Sequence, residues 1–152
     1  MRYIVLVIIL YTTSCSQNKY NESTIKQEIL EITSKYNKVW ETLNVQKISE
    51  FHSNESFVYY WHGSLASSDN DHFKKLFPEI LSSVKAWSIK KTSEPIVQVL
   101  SKDAAIISFT LEAEAIGLNG KKGLEPGALS YVWKKVDNNW KIVHIHDAPK
   151  SN

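Results

Sequence analysis

The sequence has few of the residues that cross-link a chain or interrupt its elements. Its 152 residues include one cysteine, four prolines and five glycines. A lone cysteine excludes an intramolecular disulfide, and it cannot supply a cysteine-rich zinc site. No Gly-rich phosphate loop, serine-nucleophile elbow or zinc-protease motif occurs in the sequence. It therefore carries no signature of a nucleotide-dependent enzyme or a common hydrolase, and no cofactor is predicted.

A strong charge of one sign is also missing. Eighteen Lys and Arg residues face sixteen Asp and Glu residues, which leaves a formal net charge of +2. The lysines are scattered singly or in pairs and form no basic stripe, so nucleic acid is not predicted as a partner. Beyond the N-terminal segment, roughly 130 residues remain, which is enough for one hydrophobic core and not for two.

The first 15 residues have the anatomy of a secretory signal. A cationic start at Arg2 precedes the apolar run Ile4–Leu10, and small residues then lead to Cys15. The run is too short to span a bilayer, which takes ~20 residues. The segment resembles a bacterial lipoprotein signal. That resemblance implies a lipid anchor at Cys15, a membrane-attached protein of the cell envelope, and a polar tether over residues 16–23. The alternative is an ordinary cleaved signal and a secreted protein.

Beyond the tether, the hydrophobic period changes from helical to extended. Thr24 and Gln27 form a capping box, and apolar residues recur behind it at three- and four-residue spacing. Shorter helical patterns cover residues 45–51 and 73–84, and Pro78 is expected to kink or split the second. Strand patterns cover residues 56–63, 89–100, 104–116, 129–136 and 140–146. Helices followed by an antiparallel meander predict an α+β domain.

The last two strands carry the most specific pattern. Residues 131–136 (Tyr-Val-Trp-Lys-Lys-Val) and 140–147 (Trp-Lys-Ile-Val-His-Ile-His-Asp) flank an Asp-Asn-Asn turn, which predicts a β-hairpin. This hairpin resembles the nuclear transport factor 2-like superfamily, particularly its polyketide-cyclase-like (SnoaL-like) and calmodulin-kinase-association branches. The resemblance implies a cone-shaped, curved antiparallel sheet wrapped around the N-terminal helices. The single domain would cover residues 24–148, with a tail over residues 149–152.

In proteins of this superfamily a pocket lies between the helices and the concave face of the sheet. In steroid-isomerase-like relatives a carboxylate near the position of Tyr60 acts as a base. A phenol, with a pKa of about 10 in water, is a poor substitute. Tyr60 is therefore predicted to donate a hydrogen bond to a ligand, or to form part of an aromatic wall. The predicted ligand-binding residues are Tyr60, Trp40, Tyr131 and Trp133; the alternative for the tryptophans is the core or an interface.

The predicted catalytic residues come from the last strand and the early strand. His144 and His146 share one face of the last strand, and Asp147 lies on the other. Two imidazoles on one face suit a metal site, but the pattern recurs in metal-free relatives, so no metal is predicted. His146, His62 and Asp147 are predicted to act in acid–base roles. In the kinase-association branch arginines stand at the positions of Tyr131 and Asp147, so the phenol and acid found here favour a neutral or weakly cationic ligand.

Three functions stay open, because the superfamily includes enzymes, ligand binders and assembly modules on one scaffold. The first is binding of a small, largely apolar molecule in an aromatic pocket. The second is an isomerase, hydratase or cyclase that uses His, Asp and Tyr side chains for acid–base chemistry. The third is a non-catalytic dimerisation module. Both faces of the last strands are apolar and many relatives dimerise through the convex face, so a homodimer is predicted.

Overall fold

The computed structural model describes residues 20–150. The predicted signal peptide, the predicted lipidation site Cys15 and the first half of the predicted tether lie outside the described residues. Within residues 20–150, no helix is long and apolar enough to cross a membrane. The described elements are, in chain order, α1 (Glu22–Trp40), α2 (Val45–Ser49), β1 (Val58–Trp61), β2 (Ser64–Ser67), α3 (Asn70–Ser82), β3 (Val84–Lys91), β4 (Ile96–Ser101), β5 (Ala104–Gly117), β6 (Lys122–Val136) and β7 (Asn139–Pro149).

Helix α1 begins before the predicted capping box. The side chain of Asn21 accepts hydrogen bonds from the backbone N–H groups two and three residues further on, at 3.1 and 3.3 Å. Asn is a strong N-cap residue because its side-chain oxygen satisfies these otherwise unpaired donors. The predicted box is therefore wrong: Thr24 lies inside the helix, and Gln27 bonds to Glu31 instead. The predicted apolar face of α1 is buried.

Helix α3 begins after an Asp residue that caps its first turn. The side chain of Asp69 accepts a hydrogen bond from the backbone N–H of His72 at 2.7 Å. Pro78 does not split the helix, which continues for another turn beyond it. Phe77 before the proline and Leu81 after it are buried on the inner face of α3. This packing supports the helix on both sides of the proline, where one backbone hydrogen bond is lost.

Seven strands form one curved sheet. Six of them follow the order β2-β1-β7-β6-β5-β3, and the seventh, β4, pairs with β5. All neighbours are antiparallel except β1 and β7, which run parallel. Strand β5 is long enough to hold two shorter strands along one edge. β4 pairs with its first part, over Ala104–Ser108, and β3 pairs with its last part, over Leu111–Gly117. The predicted α+β fold, helices followed by a curved and mainly antiparallel sheet, is confirmed.

The strands differ from the prediction in four places. The pattern over residues 89–100 is two strands, β3 and β4, separated by a short loop. Strand β2 was missed, because Ser-Leu-Ala-Ser lacks β-branched or aromatic residues. Strand β6 begins well before the predicted residue 129, since Pro126 and Gly127 interrupt the apolar pattern without ending the strand. Strand β7 continues to Pro149, one residue past the predicted end of the domain.

The two faces of the sheet differ in what covers them. Along β5, the odd-numbered residues Ala105, Ile107 and Phe109 are buried, whereas the even-numbered residues between them are half-exposed. The buried side chains lie on the concave face, which α1 and α3 cover. Tyr36 of α1 is 0% exposed and packs edge-on against Tyr131 of β6, with ring centroids 5.3 Å apart. The core therefore lies between the helices and the concave face.

Candidate functional site

A cavity of about 300 Å³ lies between the helices and the concave face of the sheet. Residues of α1 and α3 form one side, and residues of β1, β3, β5, β6 and β7 form the other. Aliphatic side chains such as Leu111, Leu129 and Ile145 contribute to the lining. Seven aromatic residues also line the cavity: Tyr36, Trp40, Tyr59, Trp61, Phe77, Trp87 and Tyr131. Its walls are therefore mainly apolar.

Two carboxylic acids stand in this apolar lining. Asp147 comes from β7 and Glu125 from β6. The pKa of Asp147 is raised to about 6, chiefly by burial and then by the charge of Glu125, while His62 and His146 act in the opposite direction. Among the described residues that line the cavity, no side chain is Lys, Arg or His. The ionisable lining is therefore acidic.

His62 lies beside the cavity, paired with one of these acids. It follows the end of β1 with a φ of 53°, in the tight turn that leads into β2. Its backbone N–H donates to the carbonyl oxygen of Asp147 at 2.9 Å. Its Nε2 forms an ion pair with the Oε1 of Glu125, and both side chains are about 40% exposed. The structure thus brings two predicted catalytic residues, His62 and Asp147, to one place, together with Glu125, which the prediction missed.

His146 and Tyr60 lie on the opposite face of the sheet from the cavity. Tyr60 is in register with His146 across β1 and β7, and its ring stacks on His144 with centroids 5.7 Å apart. Because neighbouring side chains on a strand alternate between faces, an inward Asp147 places His146 outward. His146, a predicted catalytic residue, and Tyr60, a predicted ligand-binding residue, therefore face away from the cavity. Within residues 20–150, no three His, Cys, Asp or Glu side chains are grouped closely enough to hold a metal ion.

Of the tryptophans predicted to bind a ligand, Trp40 lines the cavity and Trp133 does not. Trp133 is 0% exposed and packs against Tyr36 and Tyr131, at centroid distances of 6.1 and 6.3 Å. It follows the point where the register of β6 and β7 shifts. Trp133 is therefore a core residue behind the cavity wall, which is the alternative that the sequence left open.

A buried hydrogen-bond network fixes Tyr36 in the cavity wall. Its hydroxyl lies 2.9 Å from Nε2 of His52, and Nδ1 of His52 lies 3.1 Å from Oδ1 of Asn70. The Asn70 amide nitrogen donates to Oδ1 of Asn54 and to the carbonyl oxygen of Ser49, so its Oδ1 is the acceptor for His52. The Tyr36 hydroxyl accordingly donates to Nε2. Burial lowers the pKa of His52 to about 3, which keeps the imidazole neutral.

Nothing in the sequence pattern marked this network. His52 follows a short helix in a segment rich in Ser and Asn, which is typical of a loop. Its ring stacks on Phe57 at a centroid distance of 3.9 Å, with an interplanar angle of 8°. The partners of His52 are distant in the sequence, so only the folded chain shows them. The network orients one wall of the cavity and is itself buried beneath it.

Solved structures of known proteins share this fold. A nuclear transport factor 2-like superfamily protein from Salmonella enterica has a TM-score of 0.77 at 20% identity, over 87% of this chain and 95% of its own. A proposed scytalone dehydratase from Novosphingobium aromaticivorans has a TM-score of 0.77 at 14% identity, over 86% and 87%. The association domain of C. elegans CaMKII has a TM-score of 0.66 at 18% identity, over 84% and 97%. No curated protein matches the chain.

The family comparison is more specific than these structural likenesses. Residues 25–151 match the family described as the calcium/calmodulin dependent protein kinase II association domain. The match extends from the first turn of α1 through β7, so it includes every element that contributes to the cavity. It agrees with the resemblance carried by the terminal hairpin. The chain therefore belongs to the calcium/calmodulin dependent protein kinase II association domain family, and it shares its fold with nuclear transport factor 2-like proteins.

Proposed function

We propose that the protein binds a small, largely apolar molecule in the cavity between its helices and its sheet. The observation that carries this proposal is the cavity itself, about 300 Å³ in volume with seven aromatic side chains in its walls. A dry cavity of about half that volume holds a benzene molecule, so this one fits a ligand roughly twice as large. Its size and apolar lining are typical of small-molecule sites.

Few polar groups are available to orient such a ligand. The indole N–H of Trp87 is buried and has no hydrogen-bond partner among the described residues. A buried donor left unpaired costs about 1–3 kcal/mol, and a turn of the indole ring towards an acceptor on the ligand would remove that cost. Asp147 and Glu125 supply the other polar atoms. A mostly apolar wall with a few polar groups gives both affinity and orientation.

A cavity-filling variant tests the proposal. We expect phenylpropanol to bind the purified protein, as measured by isothermal titration calorimetry. Ala113→Leu adds bulk to the cavity wall and is expected to weaken binding at least about tenfold, or about 1.4 kcal/mol. Ala104→Leu is the control, because Ala104 lies on the same strand outside the cavity. Equal affinities of Ala113→Leu and the wild type, or no binding at all, would contradict the proposal.

A second candidate function, acid–base catalysis, is favoured by one specific observation. Asp147 stands in the apolar cavity with a pKa raised to about 6, close to the range in which a carboxyl group transfers protons at neutral pH. Asp147 would then be the acid–base residue, with Glu125 and His62 beside it, in an isomerase, hydratase or cyclase reaction. Turnover of a bound compound that is abolished in Asp147→Asn would support catalysis; binding without turnover would support the first proposal.

We also infer that two copies of the chain associate through the convex face of the sheet. Ile96 and Leu124 are exposed by 66% and 63%. Their strand partners Ser108 and Glu114 place them on the convex face. Exposed apolar side chains on one face of a sheet are typical of an interface. A second copy would remove these side chains from water, as expected for a homodimer.

A further inference from the structure

The cavity has an asymmetric electrostatic lining. Its ionisable residues with an accessible charge are acids, Asp147 and Glu125, and no cationic side chain is among the described residues that line it. The lining tyrosines add no charge of their own, because burial raises the pKa of Tyr59 and Tyr131 well above the usual range and keeps both phenols neutral. A negatively charged ligand would therefore meet carboxylates without a counter-charge in the wall.

The aromatic walls favour the same sign of ligand charge as the acids. The face of an aromatic ring carries negative electrostatic potential and attracts a cation, most strongly in tryptophan. Trp40, Trp61 and Trp87 all line the cavity. Trp61 is in register with Asp147 across the paired strands β1 and β7, so an indole and a carboxylate stand side by side in the wall. Together they form a site for a positive group on an apolar body.

His62, which lies beside the cavity, is already paired with Glu125 near the surface. It supplies a positive charge only when it is protonated. Asp147 has no ion-pair partner among the described residues. Its side chain is half-buried, whereas His62 is exposed. Burial and the neighbouring Glu125 both disfavour the ionised form of Asp147. A ligand cation placed against Asp147 would compensate both effects.

We propose that the ligand of the cavity is a small organic cation, an amine protonated at neutral pH on an apolar body, whose ammonium group lies against Asp147 and beside Trp61. The inference rests on the proposed binding function and adds the chemical class of the ligand. The apolar body occupies the aromatic cavity, while the ammonium group donates hydrogen bonds to the carboxylate of Asp147. Charge-assisted bonds of this kind are stronger than bonds between neutral groups.

Three probes of similar shape and different charge test the inference. Phenylpropylamine is a cation at neutral pH, phenylpropanol is neutral and phenylpropanoate is an anion. Calorimetric titration of the purified protein at pH 7.5 (roughly one and a half units above the point where half of Asp147 is ionised) is expected to show the amine binding at least about tenfold more tightly than the alcohol. The anion is expected to bind more weakly than either.

A pair of Asp→Asn variants locates the preference. Asp147→Asn is expected to bind the amine no more tightly than it binds the alcohol. Asp137→Asn is the matched control, because Asp137 is exposed in the β6–β7 turn and does not line the cavity. It is expected to bind all three probes as the wild type does. A preference for the amine that survives in Asp147→Asn would overturn the inference.

The same titrations separate this inference from the binding function on which it rests. Equal affinities for amine and alcohol, both weakened by Ala113→Leu, would overturn the cationic ligand and leave binding in the cavity intact. Tighter binding of the anion would have the same consequence. Absence of binding by all three probes would overturn both. Preference for the amine, lost in Asp147→Asn and retained in Asp137→Asn, would support both.

Discussion

Asp147 owes its properties to its two strand neighbours. It is paired with Leu129 of β6 on one side and with Trp61 of β1 on the other, so its immediate surroundings are apolar. Glu125, further along β6, adds a second negative charge. In such surroundings a carboxyl group loses hydration on ionising, and the ionised form is disfavoured. The effect of ionising Asp147 on the stability of the protein therefore tests whether its side chain lies in the apolar cavity.

Replacing Asp147 with Asn is expected to stabilise the protein at high pH and not at low pH. Folding raises the pKa of Asp147 from 3.8 to about 6, so its contribution to stability is complete below pH 3.8 and is lost as the pH rises through 6. After allowance for solvent that reaches this half-buried group, Asp147→Asn should be about 1–2 kcal/mol more stable than the wild type at pH 8. The two should be equal near pH 4. Urea unfolding at both pH values measures the difference.

The charged groups around Asp147 set the sign of this effect. Glu125 opposes ionisation of Asp147, whereas His62 and His146 favour it. The control is Asp137→Asn, which changes an exposed carboxyl in the β6–β7 turn and should show no such dependence on pH. A stability difference between Asp147→Asn and the wild type that is the same at pH 4 and pH 8 would show that charge is not its cause.

The sequence predicted which residues share a face of each strand, but not which face lines the cavity. Asp147 was separated correctly from His146. Both residues were nevertheless named as catalytic candidates, because the sequence left open which face lines the pocket, and the structure places only Asp147 in the cavity. A period of two residues fixes alternation alone. The direction depends on how the helices pack against the sheet, which no local pattern encodes.

The start of α1 depends on one side chain. Asn21 accepts hydrogen bonds from two backbone N–H groups of the first turn. We expect Asn21→Ala to lower the free energy of unfolding by about 1 kcal/mol, because both donors lose their acceptor. Thr24→Ala, at the position predicted to cap the helix, is expected to change it by less than about 0.5 kcal/mol. Chemical denaturation of the two variants and the wild type compares them.

The reverse order of effects would restore the predicted capping box. A larger loss of stability in Thr24→Ala than in Asn21→Ala would mean that the helix begins at Thr24. Equal and negligible losses would mean that the first turn contributes little to global stability. Both outcomes differ from the expected result by more than the usual uncertainty of such measurements.

Helices and long strands could be predicted from periodicity, whereas their ends could not. The apolar stripes of α1 and α3 and the alternation along β5 were sufficient to place those elements. The beginning of β6 was missed because Pro126 and Gly127 are usual in turns. In the structure, a Cβ added at Gly127 would lie 2.7 Å from the carbonyl oxygen of Ala148. The glycine therefore permits a close approach of β6 and β7, and does not mark a turn.

Substitutions on the convex face test the proposed homodimer interface. We expect the purified protein to be a dimer in light scattering coupled to size-exclusion chromatography. Val132→Glu introduces a charge on this face, beside Ile106 of β5, and should shift the protein towards monomer. Leu118→Glu is the control, because Leu118 is 69% exposed in the β5–β6 turn. A monomeric wild type, or equal dissociation of both variants, would contradict the proposed interface.

The fold and its family could be predicted from one hairpin, while the site needed the assembled domain. The cavity residues come from α1, α3 and five strands, so their meeting depends on contacts between distant parts of the sequence. The terminal hairpin is local and was predicted correctly. The ion pair of His62 with Glu125 and the contact of Tyr36 with His52 join segments far apart in the chain. Composition and spacing carry no signal for such pairs.

The parallel pairing of β1 with β7 has a consequence for how the chain folds. These strands lie near opposite ends of the domain, and β2 is the other sheet neighbour of β1 in the described chain. A two-stranded hairpin is marginally stable by itself. The β1–β2 unit therefore lacks its sheet partner until β7 has formed. Because closing so long a loop is slow, docking of β1–β2 on β7 is expected to be a late step of folding.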